Sequence, residues 1–327
     1  MAGRYSSVLS AAGSLIATGA MNVYRIGFEA MGGVGEVVLS ADTMKRAQAM
    51  AASAIEEVKR IELKYSRYHS SGIVHRINES AGDGWTECDD ETVSLFGYAD
   101  SLYESSDGLF DITSGVLRKA WDFRNPGLPE RELLDALIEM IGWEKAERRG
   151  NLIRLPQRGM EIDFGGFAKE YAADRGAALL HAKGIRHGYV NLAGDIRVIG
   201  PKPDGAPWLI GIRDPRDHGR MMASIPLSTG ALATSGDYER YFELEGRRYC
   251  HILHPGTGMP VTHWQSVSVL APLAVHAGSC TTIAMLKDAD ALQFLERSCT
   301  GFLAVDRLGV VYQKSCDPEY PKSPTLS

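Results

Sequence analysis

The order of the predicted secondary structure elements constrains the fold of this 327-residue chain more than any other feature of its sequence. Segments with the polar and apolar pattern of strands come in consecutive runs, and helical segments separate these runs. A parallel sheet with crossover helices would need strands and helices in strict alternation, whereas consecutive strands pair as antiparallel neighbours. The sequence therefore predicts an α+β fold with mainly antiparallel sheets and flanking helices.

Helices are predicted where apolar residues recur every three or four positions. The clearest is residues 42–65, with Asp42 as its N-cap. The other predicted helices are 91–105, 130–141, 167–183 and two that begin near Ala277 and Asp288. Strands are predicted as a pair around a glycine turn within 23–40, and at 160–164, 188–199, 207–213, 222–227, 247–253, 265–270, 301–305 and 310–313.

No internal repeat or linker divides the chain, so residues 21–327 are interpreted as a single domain of two intimately packed subdomains. Residues 1–20 are interpreted as an extension, either disordered or the result of a mis-called start. Ser and Gly interrupt the apolar stretch at 8–20, which makes it a poor secretory signal, and no Cys follows that could carry a lipoprotein anchor. No stretch has the roughly 18–20 apolar residues that span a membrane. We expect a cytoplasmic location and leave a periplasmic one open.

The formal net charge of −6 argues against nucleic-acid binding, because the chain has no broad basic surface to contact phosphates. The five cysteines form no CxxC pair, which excludes a zinc ribbon and a thioredoxin-like site. An odd cysteine count without a framework fits a reducing compartment. No Walker loop, nucleophile elbow or HExxH motif occurs, so the sequence gives no support to an NTPase, a serine hydrolase or a zinc protease.

The segment at 160–169 is the first candidate site, because a strand there runs into Gly165-Gly166 and then into a helix. A helix N-terminus favours anions, and glycines let a ligand approach the backbone closely. Lys169 lies about one turn into the helix, where its ammonium would contact a phosphate. Asp163 lies just before the turn, where it would accept a hydrogen bond from a ribose or a base. The alternative is an ordinary strand-to-helix turn with a solvated lysine.

Three further segments contain candidate site residues. Asp111 is flanked by apolar residues, and because a buried carboxylate needs hydrogen-bond partners, it faces a ligand or braces a turn. His251 and His254 are three residues apart and point to opposite faces of an extended strand, which argues against a shared metal ion. His251 is a candidate general base or ligand contact, with a structural histidine as the alternative. Thr282 near a predicted helix start caps that helix or ligates a hard cation.

Taken in sequence order, these segments resemble the blocks of the ApbE family. The most diagnostic block is Ile-Asp-Phe-Gly-Gly-Phe-Ala-Lys at 162–169. The other matching blocks are Met-Gly at 31–32, Ser-Arg-Tyr at 66–68 with Arg-Ile-Asn at 76–78, Gly-Leu-Phe-Asp-Ile-Thr at 108–113 with Trp121, Asn-Leu-Ala-Gly-Asp at 191–195, Thr-Ser-Gly-Asp-Tyr-Glu at 234–239, and the segment at 251–258. Each block alone is weak, and seven in the same order are specific.

The resemblance implies an ApbE-like fold and a magnesium-dependent FAD:protein FMN transferase. Such an enzyme transfers FMN from FAD to a Thr or Ser hydroxyl of an acceptor protein, a reaction called protein flavinylation, and releases AMP. The implied acceptors are reductases or subunits of electron-transfer complexes, including membrane subunits of sodium-pumping quinone reductases. Two alternatives stay open, a flavin-binding protein without turnover and a magnesium-dependent pyrophosphatase that converts FAD to FMN and AMP.

The resemblance also implies roles for individual residues. The implied metal-ligand positions are Gly166, through its carbonyl, and Thr282. A base must take the proton of the acceptor hydroxyl, and His251 is the candidate. The implied contacts with the flavin nucleotide are Met31, Tyr68, Leu109, Phe110, Asp111, Asp163, Lys169 and Ile252.

The chain departs from the family pattern where a metal ligand is expected, because Gly278 occupies the Asp position of the block Ala-Asp-x-x-Ser/Thr-Thr. Asp195, Asp237 or Asp288 replaces the missing acid, or the metal binds mainly through the phosphates of FAD, or turnover is lost. Smaller departures are Glu170 for the Gly after the lysine, Ala193 for the first Gly of Gly-Gly-Asp, and His254 for the Asp before Pro.

Overall fold

The computed structural model of the chain describes residues 15–18, 21–217 and 219–315. Its α-helices are α1 Met44–Tyr65, α2 Ile73–Glu79, α3 Asp90–Ser105, α4 Arg131–Ile138, α5 Ala168–Ala182, α6 Ala274–Leu286 and α7 Ala291–Ser298. Short 3-10 helices cover Ile112–Lys119, Trp143–Lys145 and Asp288–Asp290. The strands are β1 Leu15–Thr18, β2 Met21–Ala30, β3 Gly33–Ala41, β4 Thr86–Glu87, β5 Glu147–Arg149, β6 Leu152–Arg154, β7 Gly188–Leu192, β8 Asp195–Gly200, β9 Trp208–Arg213, β10 Met221–Leu227, β11 Gly230–Gly236, β12 Tyr241–Leu244, β13 Arg247–Cys250, β14 Trp264–Ala271, β15 Gly301–Asp306 and β16 Val311–Lys314.

One nine-stranded sheet organises the molecule, with the strand order β1-β2-β3-β7-β8-β11-β14-β15-β16. Every pair of neighbours in this sheet is antiparallel. Three small sheets, β9-β10, β12-β13 and β4-β6-β5, are antiparallel as well. The predicted α+β class with mainly antiparallel sheets and flanking helices is therefore confirmed. The single domain and its subdomains stay a prediction.

The two faces of the large sheet have different partners. On one face, α1 packs on β2 and β3, α5 on β7 and β8, and α6 on β11 and β14. This face gives the main core, in which Val37, Leu39, Val58 and Ile61 are fully buried. On the other face the hairpin β9-β10 packs on side chains such as Val38. Helix α5 thus lies between α1 and α6, which places the start of α5 beside both neighbours.

Three predictions about element boundaries are wrong. The N-cap of α1 is Thr43 rather than Asp42, because the Thr43 hydroxyl accepts from the Arg46 amide at 3.2 Å. The predicted strand at 188–199 is two strands, since Ala193 (φ 52°) and Gly194 (φ 101°) form a left-handed turn between β7 and β8. The predicted strand at 160–164 is irregular backbone that pairs with no strand.

Strand β11 is the main element that sequence reasoning missed. Its residues Thr234, Ser235 and Gly236 have the composition of a turn, and the sequence predicts no strand there. They lie in an inner strand because β11 pairs along its whole length with β14 and at its first three residues with β8. Among the described residues, none of the helices combines the length and the apolar character needed to cross a membrane. The location of the protein stays a prediction.

Candidate functional site

The backbone before α5 is fixed by side chains rather than by a sheet. Asn78 bonds Ile162 twice, since its Nδ2 donates to the Ile162 carbonyl at 3.0 Å and its Oδ1 accepts from the Ile162 amide at 2.7 Å. The Asp163 amide donates to the Ile112 carbonyl at 2.8 Å. Phe164 and Phe167 are fully buried with their ring centroids 4.9 Å apart. The two glycines between these rings are therefore held in one rigid turn at the surface.

The amides of this turn are used within the protein. The Gly165 amide donates to Asp163 Oδ1 at 2.9 Å, and the amides of Phe167 and Ala168 both donate to the Phe164 carbonyl, at 3.0 and 2.7 Å. The expectation that the turn aims free N–H groups at an anion is wrong for these three residues. These three amides are therefore not available to a phosphate.

The block at 108–115 packs directly against the turn. A Cβ at Gly166 would lie 2.7 Å from Phe110 Cζ, and a Cβ at Gly115 would lie 2.6 Å from Asp163 Cβ. Both distances are too short for a side chain, so these glycines are required by close packing. Two stretches that sequence reasoning selected separately, 109–111 and 162–169, are thus in contact.

Asp111 is the N-cap of the 3-10 helix Ile112–Lys119. Its Oδ1 accepts from the Thr113 amide at 2.7 Å and from the Thr113 hydroxyl at 2.6 Å, and its Oδ2 accepts from the Trp143 amide at 3.0 Å. Burial raises the pKa of Asp111, although these hydrogen bonds oppose the shift. The geometry favours the bracing alternative, and a direct contact of this carboxylate with a nucleotide stays a prediction.

Asp163 has a cationic partner that sequence reasoning missed. Asp163 Oδ2 forms an ion pair with the Arg67 guanidinium, which also donates to the Tyr68 hydroxyl at 2.9 Å. The guanidinium lies 4.9 Å from the centroid of the Tyr68 ring, and Tyr68 is 73% exposed. Arg67 lies in the same sequence block as Tyr68, and only this position could have identified it as a site residue from the sequence. The result is an exposed aromatic ring next to a partly buried ion pair.

Lys169 lies in the first turn of α5 between two carboxylates. Its Nζ is 2.5 Å from Asp195 Oδ2 at the start of β8 and 3.8 Å from Glu170 Oε1. Burial opposes the positive charge, but the carboxylates of Asp195 and Glu170 outweigh it and raise the pKa of Lys169 above its ordinary value. The side chain is 29% exposed, so an anion from solvent can contact the ammonium.

Glu170 points from α5 towards α6. It is 7% exposed, and its Oε2 has no hydrogen-bond partner within the described part of the chain. Burial, together with the neighbouring carboxylate of Asp195, raises the pKa of Glu170 well above its ordinary value. Its side chain contacts the backbone of α6 at Gly278, where a Cβ would lie 2.5 Å from Glu170 Cγ.

Helix α6 presents Gly278 and Thr282 one turn apart on the same face. The helix begins at Ala274 rather than near Ala277, so Thr282 lies in its interior and the capping alternative is wrong. Asp174 of α5 accepts from the amides of Ala274 and Val275 at 2.9 Å each, which fixes the start of α6 against α5.

The oxygen donors near this crossing fit magnesium. Among the described residues, no group of three or more His, Cys, Asp and Glu side chains could hold a metal ion. Magnesium is commonly bound through one or two carboxylates, and substrate phosphates complete its shell. The Glu170 and Asp195 carboxylates, with the Gly166 carbonyl and the Thr282 hydroxyl that the resemblance implies, are hard oxygen donors of this kind. Gly166 and Thr282 as ligands stay a prediction.

Of the three acids considered as replacements for the missing Asp, only Asp195 contacts Lys169. Asp237 is paired with Arg216 at 2.7 Å and with Arg248 at 3.4 Å, so its charge is already compensated. Asp288 is exposed and follows the end of α6. The sequence did not suggest Glu170 as a replacement for the missing Asp, because its contact with Gly278 is visible only in the structure.

Met31 and His251 are connected through Arg240. Met31 is in the left-handed region (φ 55°) and its amide donates to Glu62 Oε1 at 2.6 Å. A Cβ on the next residue, Gly32, would lie 3.8 Å from Arg240 Nη2. The Arg240 carbonyl accepts from the His251 amide at 3.0 Å. The β2–β3 turn therefore lies close to the loop between β11 and β12, whose Arg240 carbonyl bonds His251.

His251 follows the end of β13 and is exposed to solvent. Crowding by protein atoms removes some of the water around its imidazole, and this desolvation, with the charges of Arg240 and Lys169, lowers the pKa of His251 to about 4. Ile252 is half-buried and packs against the core beside α6. His254 has a local structural role, because its Nδ1 accepts a hydrogen bond from the Gly256 amide at 3.1 Å within the turn.

Two cavities open elsewhere on the molecule. One of about 460 Å³ lies between α1, α3 and α5 and is lined by ion-paired residues including Glu57, Arg60 and Glu91. The other, of about 250 Å³, lies beside Trp208 on the opposite face of the sheet. Neither includes a residue predicted from the sequence, so the candidate site is the surface around Lys169.

Comparison with known proteins agrees with this geometry. The model of the ApbE family matches residues 31–305. The FAD:protein FMN transferase of Treponema pallidum is 30% identical over 261 residues, which cover 73% of this chain and 72% of that protein. The crystal structure of the ApbE protein of Thermotoga maritima superposes with a TM-score of 0.82 at 32% identity, over 89% of this chain and 96% of that one. The flavinyl transferase ApbE of Pseudomonas stutzeri gives a TM-score of 0.78 at 26% identity, over 90% and 95%.

Proposed function

The chain belongs to the ApbE family, and from that membership and the geometry of its site we propose that it is a magnesium-dependent FAD:protein FMN transferase. It binds FAD, transfers the FMN part to a Thr or Ser hydroxyl of an acceptor protein, and releases AMP. The observation that carries the proposal is the Lys169 ammonium, which neighbouring carboxylates keep charged in the first turn of α5 beside the Gly165-Gly166 turn.

Each part of FAD has a suitable partner at this site. The pyrophosphate is anionic, and the Lys169 ammonium has three hydrogens to donate, so it can contact a phosphate oxygen while it stays paired with Asp195. The planar ring systems of FAD suit the exposed ring of Tyr68, since aromatic rings stack favourably. Asp163 and Arg67, next to Tyr68, offer an acceptor and several donors for the polar edges of the ligand.

The transfer is a displacement at the phosphorus atom on the FMN side of the pyrophosphate. The acceptor hydroxyl oxygen forms a new bond to this phosphorus, the bond from phosphorus to the bridging oxygen breaks, and the bridging oxygen leaves with AMP. The hydroxyl proton passes to His251, whose lowered pKa favours the neutral imidazole that can accept a proton. Lys169 stabilises the negative charge that develops on the phosphate oxygens. Magnesium, when bound, supplies additional charge neutralisation at the pyrophosphate.

The acceptor is a protein with a Thr or Ser hydroxyl, and we propose a reductase or a subunit of an electron-transfer complex. The names of curated relatives support a protein acceptor in general. The cytoplasm is the proposed location, with the periplasm as the alternative, and cell fractionation would separate the two.

The test combines two products in one reaction. The protein is mixed with FAD, MgCl₂ and a flavin-carrying domain of an electron-transfer subunit, and mass spectrometry measures the acceptor while AMP is quantified. The expected result is an acceptor heavier by one FMN, with one AMP released per adduct. AMP that forms equally without the acceptor would instead identify a pyrophosphatase. Bound FAD with neither product would identify a flavin-binding protein.

A further inference from the structure

Two departures from the family pattern meet where α5 crosses α6. Glu170 stands where the resemblance expects glycine, and Gly278 stands where it expects aspartate. A Cβ at Gly278 would lie 2.5 Å from Glu170 Cγ and 2.8 Å from both its Cδ and its Oε1. The Glu170 side chain therefore fills the space that a side chain at 278 would need. The two departures amount to one exchange, in which a carboxylate has moved from α6 to α5.

One oxygen of the buried Glu170 carboxyl group, Oε2, lacks a hydrogen-bond partner within the described structure. The residue is 7% exposed, and its Oε2 makes no hydrogen bond in the part of the chain that is described. Unpartnered buried polar atoms are uncommon because each loses its water without compensation. Such an oxygen, beside a second carboxylate, is suited to a cation.

Lys169 does not fill this role. Its Nζ lies 2.5 Å from Asp195 Oδ2, which is hydrogen-bonding distance, but 3.8 Å from Glu170 Oε1, which is too long for a hydrogen bond. Lys169 therefore donates to Asp195 rather than to Glu170, and Glu170 Oε2 has no hydrogen-bond partner in the described structure.

We propose that Glu170 supplies the carboxylate ligand of the magnesium site that this chain lacks at position 278. The inference rests on the proposed function, which needs the cation. Glu170 adds a charged oxygen to the neutral donors expected from Gly166 and Thr282, and this combination matches the preference of magnesium for hard oxygens. Position 278 has to be glycine in this arrangement, because a side chain there would displace Glu170.

Metal binding by the full chain tests the proposal without reliance on turnover. Electron paramagnetic resonance of free Mn²⁺ gives the Mn²⁺ affinity of each variant, with and without FAD. Glu170→Gln keeps the shape and removes the charge, and we expect it to weaken Mn²⁺ binding at least about tenfold, as loss of even an outer-shell partner can do. The double variant Glu170→Gly with Gly278→Asp returns the carboxylate to α6, and we expect its affinity to be within about threefold of the original.

The matched control is Glu161→Gln, which neutralises an acid nine residues earlier in the chain that pairs with Arg118 and Lys119. Its Mn²⁺ affinity should equal that of the unchanged protein. Urea unfolding without metal checks the fold, and we expect Glu170→Gln to be about as stable as the parent, because the raised pKa of Glu170 already favours its neutral form when no metal is bound.

Two results would overturn the proposal. One is an unchanged Mn²⁺ affinity in folded Glu170→Gln, and the other is an unchanged protein that binds no Mn²⁺ even with FAD. The proposed function fails separately, if no flavinylated acceptor forms while Mn²⁺ binding still depends on Glu170. Conversely, if magnesium-dependent flavinylation proceeds equally well in the Glu170→Gln variant, the proposed function stands and Glu170 is not a magnesium ligand.

Discussion

Asp111 and Glu170 are both buried carboxyl groups with raised pKa values, yet their surroundings differ in kind. Asp111 accepts three hydrogen bonds, two from Thr113 and one from Trp143, so both of its oxygens are satisfied. Glu170 faces another carboxylate and has an oxygen without a partner in the described structure. Burial alone therefore does not distinguish a structural acid from a functional one.

The difference lies in which hydrogen-bond partners the chain itself provides. Where the fold supplies every donor, as at Asp111, the carboxylate stabilises a local turn and its removal costs free energy of unfolding. Where the fold provides no donor, as at Glu170 Oε2, an ionised carboxylate lowers the free energy of unfolding until a bound cation compensates its negative charge. The two sites should consequently respond in opposite ways to mutation, and four measurements examine this.

The largest effect is expected for Gly278→Asp alone. Its new Cβ would overlap Glu170, and its charge would add another acid beside Glu170 and Asp195, so the free energy of unfolding should fall by about 3–5 kcal/mol. Urea unfolding measures the loss. Gly278→Ala isolates the steric part, and a second change, Glu170→Gly, should restore most of the stability. If Gly278→Asp is as stable as the parent, the space between α5 and α6 at Gly278 is larger than it is in this structure.

The next effect is expected for Asp111→Ala. The change leaves the donors of Thr113 and Trp143 without an acceptor in a buried place, so the free energy of unfolding should fall by about 2–3 kcal/mol. The same urea experiment measures it, and the Mn²⁺ affinity of the folded variant should stay unchanged. Loss of metal binding without loss of stability would assign Asp111 to the ligand site instead.

A smaller effect is expected for Lys169→Ala, which removes the cation nearest to Glu170 and Asp195. Loss of a charge-assisted contact with the pyrophosphate should weaken FAD binding roughly tenfold, or about 1.4 kcal/mol, in a fluorescence titration. Lys183→Ala, at the other end of the same helix, is the matched control and should bind FAD normally. Equal FAD affinity of both variants would remove Lys169 from the site.

The smallest effect concerns pH. Burial raises the pKa of Asp111 above its value in the unfolded chain, so between these two values the native state binds more protons than the unfolded state. The stabilisation that Asp111 contributes should therefore decrease as the pH rises above about 3.8, by less than about 1.4 kcal/mol per pH unit. Urea unfolding of Asp111→Asn and its parent from pH 3.5 to 6 measures the difference. A difference that grows in the opposite direction would contradict the raised pKa.

The sequence was sufficient for most elements of the fold, since α1, α3, α5 and the paired strands β2 and β3 have clear periodic patterns. It failed at β11, whose residues Thr234, Ser235 and Gly236 resemble a turn and form a strand because β14 pairs with them. It failed also at 160–164, where Asn78 takes the hydrogen bonds that a sheet would otherwise make. Both failures come from partners distant in the chain.

The site was predicted in part for the same reason. Local motifs indicated Lys169 and the glycine turn, and the structure pairs Lys169 with Asp195, while a contact of Lys169 with a phosphate stays a prediction. No sequence motif indicated Arg67, the partner of Asp163, or Arg240, the partner of His251. The relation between Glu170 and Gly278 lies beyond any local pattern, because 108 positions separate them (278 − 170) and only the packing of two helices brings them into contact.

The narrow crossing of α5 and α6 has a consequence for how such a protein could change over generations. Gly278 leaves space for a single acidic side chain, so an ancestor with its acid on one helix cannot acquire the second acid before losing the first without severe strain. Passage between the two arrangements runs through an intermediate with no acid at the crossing or with two acids in conflict. We expect the first intermediate to bind the cation less tightly and the second to be less stable, so that exchanges between the two arrangements are rare.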